Sequence, residues 1–90
     1  MPVYVDPLFD WPGPHEMSRW CHMRADSLDE LHAMADRLGM RREWFQDKPG
    51  KPHYDLIPSH REAAILYGAI ELTRREWVQR FSKRLISRSG

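Results

Sequence analysis

Apolar residues recur along this chain at two spacings, one helical and one alternating. Leu28, Leu31, Met34, Ala35 and Leu38 fall on one face of a helix predicted over 28–38. Gly39 follows as a left-handed C-cap, with Met40 placed for the hydrophobic contact that accompanies it. A short second helix is expected over 60–67, ended by Gly68 in the same way. A third, over 74–86, stacks Trp77, Val78, Phe81 and Leu85 on one side. Each helix has a capping-box match at its start: Ser27-Leu28-Asp29-Glu30, Ser59-His60-Arg61-Glu62 and Thr73-Arg74-Arg75-Glu76.

Strand-like segments lie between them. Val3-Tyr4-Val5, stopped by Asp6-Pro7, and residues 20–25 are the clearest. Trp44-Phe45, residues 54–57 and residues 70–72 are shorter candidates. Residues 7–18 and 46–52, rich in proline and glycine, read as loops. The order predicts an α+β fold, a small sheet of three to five short strands packed with three helices. Residues 1–90 form one domain in this reading, with 87–90 a fraying tail. Trp20, Trp44 and Trp77 fit the core pattern, whereas Trp11 sits in the first loop as a lid or an oligomer contact.

Composition narrows the classes. The longest uncharged apolar-rich run, residues 63–70, is far short of the ~18 residues of a membrane span. Asp6 and Asp10 argue against a secretory signal, so a cytoplasmic location is expected. The lone Cys21 excludes an internal disulfide and a cysteine-rich zinc site. A net charge of +1 hides a division: residues 1–58 carry −3 and residues 59–90 carry +4. The basic end belongs to the second and third helices.

Polar residues concentrate at element ends. His22 and Asp26 lie in and just after one strand, while His53 and Asp55 alternate on another, with Tyr54 on its opposite face. If the strands pair, these groups and Asp6 converge on a pocket for a small ligand. No two histidines stand four apart on a helix, so a metal is not expected. His32 and Asp36 read as a surface ion pair. Cys21 adjoins His22, but neighbours on a strand face opposite ways, so the thiol reads as core. Arg61 and His60, beside the free N–H groups of the second helix, make a candidate anion site. Arg80, Lys83 and Arg84 form a basic edge on the third helix; Glu76, four residues before Arg80, makes a helix-stabilising pair the simpler reading.

The chain resembles a family of short phage and bacterial proteins filed as a domain of unknown function. The resemblance rests on Val3-Tyr4-Val5-Asp6, His22-Met23 with Ala25-Asp26, Glu30-Leu31-His32, Gly39 and Trp44-Phe45-Gln46. His53-Tyr54-Asp55, Arg61 and residues 64–69 complete it. The family brings no activity; a phage setting, in the host cytoplasm, implies roles such as sequestering a nucleotide signal.

The expected function is a small binding module for a phosphorylated or nucleotide-like ligand. Arg61, His60 and the second helix N-terminus would hold the anion. Asp6, His22, Asp26, His53 and Asp55 would supply hydrogen bonds, with Tyr54 or Trp20 stacking. No cofactor is implied, no catalytic residue is assigned, and a homo-oligomer is an open expectation. One alternative is a nucleic-acid binder using Arg80, Lys83 and Arg84. A second is a small nucleotide hydrolase with His22 or His53 as general base.

Overall fold

The computed structural model describes residues 2–10 and 19–81. Strands β1 (Val3–Val5), β2 (Phe9–Asp10), β3 (Arg19–Ala25), β4 (Gln46–Lys48), β5 (Lys51–Leu56) and β6 (Ile70–Glu71) form a mixed sheet. Helices α1 (Leu28–Arg37), α2 (Pro58–Leu66) and α3 (Arg74–Phe81) pack with it, giving the expected α+β class. The path across the sheet is β4-β5-β3-β1-β6, and β2 adds to β3. All pairings are antiparallel except β1 with β6, which is parallel.

Alternation along β3 and β5 gives the sheet two different faces. Cys21, Met23, Tyr54 and Leu56 are fully buried on one of them, with Val3 and Val5 of β1. Leu31, Met34 and Ala35 of α1 and Ala64 of α2 close this core. Trp20, His22, Arg24, His53 and Asp55 alternate with the core residues and occupy the other face. There α3 covers one end: Phe81 meets the Tyr4 ring edge-on at 6.0 Å, and the Arg24 guanidinium lies 4.2 Å from the Phe81 ring centre.

The helix ends follow the cap chemistry at four of the five predicted places. Ser27 accepts from the Glu30 backbone N–H and donates to its carboxylate. Thr73 and Glu76 make the full reciprocal box, at 2.8 and 3.1 Å. Gly39 (φ +76°) and Gly68 (φ +109°) close α1 and α2 by the paired backbone bonds of a Schellman motif, burying Met40 and Ala69 beyond them. Ser59 is the exception. Proline is preorganised for the first helical position, so α2 begins at Pro58 and its cap is Ile57, which makes no side-chain bond. Replacing Thr73 with alanine is expected to cost about 1 kcal/mol, read as a lowered urea midpoint with an unchanged slope.

Three assignments need correcting. Trp44 lies in a 3-10 turn, Arg42–Trp44, and is 46% exposed, so it is not core. Phe45 alone turns inward, 4.6 Å from the His32 ring. Residues 46–48, read from sequence as loop, are β4. Pro49-Gly50 forms a two-residue turn with Gly50 at φ +75°, which lets Gln46–Lys48 pair back onto β5. Likewise Phe9–Asp10 is strand within the first predicted loop. Trp20 and Trp77 are half-buried on the second face, and Trp11 lies outside the described residues.

Candidate functional site

The register of β3 against β5 builds the site. His22 pairs with Asp55 across the two strands, and His53 in turn pairs with Gln46 of β4. Residues directly opposite share a face. His22, His53, Asp55 and Gln46 therefore gather on the uncored side of the sheet. They line an open groove of about 570 Å³ together with Phe9, Trp20, Lys48 and Lys51.

Each polar group is held by a second one. Asp6, buried at the end of β1, accepts from the His22 backbone N–H at 2.6 Å and bonds the His22 Nδ1 at 2.8 Å. Phe9 stacks on the His22 ring at 5.2 Å. The His53 Nδ1 donates to the Lys51 carbonyl at 2.8 Å, and its Nε2 lies 3.4 Å from Asp55 Oδ1. The other Asp55 oxygen accepts from the Gln46 amide. The His53–Asp55 contact holds the imidazole pKa above its usual range and the carboxyl below its own, so the pair favours its charged form.

Arg61 ties this corner together rather than standing free. Its Nε donates to the Asp6 carbonyl at 2.9 Å and its Nη2 to Glu71 at 3.3 Å, with the side chain mostly buried. It thus links α2, β1 and β6. His60 lines an adjoining, more apolar hollow with Trp44, Met40 and Ile57, and Trp20, Gln46 and Asp55 border both it and the groove. Lys48 and Lys51 face each other across the β4–β5 turn at the groove edge. Among the described residues, neither is in an ion pair.

Two other expected site residues lie elsewhere. Asp26 is at the far end of β3, where it takes hydrogen bonds from Tyr4 at 3.3 Å and from Arg80 at 2.6 Å. Tyr54 cannot stack on a ligand, because it is fully buried on the core face with its hydroxyl 2.8 Å from His32 Nδ1. That bond also replaces the expected His32–Asp36 pair. Arg80 lies over the Tyr4 ring at 4.1 Å and pairs with Asp26 rather than with Glu76, which caps α3. Lys83 and Arg84 lie outside the described residues. Cys21 is fully buried, and that burial pushes its thiol up to about 12, so no thiolate is at hand near neutral pH.

Sequence reasoning missed Phe9, Gln46, Lys48 and Lys51. The signal for the last three was the Lys-Pro-Gly-Lys turn, which makes a hairpin and carries all of them to one side. No helix of the described residues is long and apolar enough to cross a membrane. A family model described as a protein of unknown function (DUF4031) matches residues 3–84. The chain belongs to that family. No curated protein and no solved structure matches it.

Proposed function

We propose that this member of the DUF4031 family binds a phosphorylated or nucleotide-like small molecule in the β3–β5 groove. One observation carries the reading. Lys48 and Lys51 stand directly opposite each other at the groove edge, and neither is in an ion pair with a carboxylate among the described residues. Like charges opposed across a hairpin destabilise it, and an anion bound between them relieves the repulsion. The rest of the groove suits what a phosphate is attached to. Trp20 and Phe9 offer aromatic surface for a base, and Gln46, His53 and Asp55 offer directional donors and acceptors.

Compared with the expectation from sequence, the anion moves from Arg61 to the lysine pair, while His22, His53, Asp55 and Trp20 keep their roles. Asp6 acts from behind, through His22. The test is calorimetric titration with nucleoside mono-, di- and triphosphates, inorganic phosphate and a short oligonucleotide. A nucleotide is expected to bind, and Lys48→Gln with Lys51→Gln to weaken it at least tenfold without unfolding the chain. Trp20→Ala is expected to weaken nucleotides but not inorganic phosphate. Absence of nucleotide binding at millimolar concentration, or indifference to the lysine pair, sinks the reading. Preference for the oligonucleotide, with loss on Arg80→Ala, would favour the third helix as a nucleic-acid surface instead.

A further inference from the structure

We propose that His22, His53 and Asp55 form a binding site for a first-row divalent transition-metal ion, with Zn²⁺ as the type. The three residues each bring one ligand-capable atom, and these atoms lie within 4.8 Å of one another. They come from two paired strands, so the sheet register fixes their separation before any ion arrives. The site lies in the groove proposed above for a nucleotide, yet these ligands need no nucleotide to bind a metal.

Proton positions carry the inference furthest. The Lys51 carbonyl can only accept, so the hydrogen bond at 2.8 Å places the His53 proton on Nδ1. In the neutral imidazole the lone pair of Nε2 then faces the Asp55 Oδ1 lone pairs at 3.4 Å. Two acceptors so placed repel unless a cation lies between them. Ligand atoms around a tetrahedral ion with bonds of about 2.0–2.1 Å stand about 3.3 Å apart, close to the 3.4 Å of the His53–Asp55 pair. A proton satisfies the His53–Asp55 pair alone, whereas a metal ion also engages His22. The Asp6 carboxylate holds His22 by Nδ1 and leaves Nε2 as its free nitrogen.

All three ligands are also supported from outside. Asp6 orients His22, the Lys51 carbonyl orients His53, and Gln46 orients Asp55. A carboxylate or carbonyl behind each imidazole is the usual outer shell of a metal-binding histidine; it sets the tautomer and raises basicity. Two imidazoles and one carboxylate suit zinc, iron, cobalt or nickel and are a poor set for magnesium or calcium, which prefer all-oxygen shells. Three protein ligands leave at least one coordination position open. That position opens on the groove, where water or a phosphate oxygen can fill it.

The experiment begins with chelator-stripped wild-type protein titrated with Zn²⁺ alone, followed by calorimetry and by ¹⁵N spectra of the histidine side chains. The expected result is one saturable site per chain, with large Nε2 shifts for two of the five imidazoles, those of His22 and His53. An excess of Mg²⁺ should not compete. His22→Ala and Asp55→Asn should each abolish saturable uptake. Asp6→Asn should weaken it 10- to 100-fold, because an amide donates to His22 Nδ1 and moves the proton onto Nε2. His53→Gln replaces the alanine variant if that one fails to fold. No saturable uptake, shifts confined to His32 and His60, or full affinity in His22→Ala overturns the metal site. Repeating the nucleotide titration in a chelator separates the two readings. Nucleotide binding without zinc uptake removes the metal and leaves the groove. Zinc uptake without nucleotide binding does the reverse.

Discussion

Replacing Tyr54 with alanine is expected to remove about 4 kcal/mol of folding stability. The ring is fully buried beneath the sheet's helical layer, with Phe45 at 5.4 Å and His32 at 5.8 Å between ring centres. Close-packed interiors collapse only partly around a deleted side chain, so a cavity adds to the lost transfer energy. A domain of this length has about 5–13 kcal/mol in total, and the loss is a large share of it. Tyr54→Phe keeps the ring and removes only the bond to His32, which is half-buried and reachable by water. Its expected cost is about 1 kcal/mol. Urea unfolding of the two variants side by side checks both values. A cost for alanine no larger than for phenylalanine would mean that the ring is not packed as described.

The second large effect is expected at Asp6. Its carboxylate is almost wholly buried and holds both the backbone and the ring of His22. Asp6→Ala leaves a backbone donor at the β1–β3 junction without its partner and the imidazole without its anchor. The expected loss is about 3 kcal/mol. Asp6→Asn retains the acceptor for the backbone N–H and should lose about 1 kcal/mol. The roughly threefold difference between the two variants is one that thermal unfolding distinguishes readily. Equal losses in the two variants would place the stabilisation in the charge rather than in the backbone bond.

Much of this fold was legible in the residues. Helical periodicity located α1, and Gly39 and Gly68 marked two helix ends because only their left-handed φ allows the closing bonds. The β-branched and aromatic run of residues 3–5 and the alternation of residues 20–25 located β1 and β3. What failed did so where tertiary pairing outweighed local pattern. Trp44 reads as strand by composition, yet the turn it belongs to leaves it facing outward. Gln46–Lys48 reads as loop, and becomes a strand only because the Pro49-Gly50 turn brings β5 alongside.

The site divides on similar lines. Alternation put His53 and Asp55 on one face and Tyr54 on the other, and the structure keeps that arrangement. The pairing partner of β3 was not legible, so Asp26 could be grouped with His22 when it sits at the opposite strand end. Histidine spacing along a helix says nothing of His22, His53 and Asp55, which two paired strands bring together. Arg61 stands out in the sequence for its place in the first turn of a helix, beside the free N–H groups. Its role as a tie to Asp6 and Glu71 depends on residues far away in the chain.

The parallel pairing of β1 with β6 has a consequence for how the molecule is made. Tyr4 is registered against Ile70, and Leu72 donates its backbone N–H to Val5 at 2.9 Å. The strand at residues 3–5 therefore completes its hydrogen bonding only after residues 70–72 have left the ribosome. Contacts that close nearly the whole chain form slowly, because most of its loop entropy must be lost first. A nascent chain halted before residue 70 would carry β1 as an open sheet edge, with the Asp6–His22 corner lacking the Glu71 end of its Arg61 tie. The chemistry of the groove would thus become competent late, as the last strand docks.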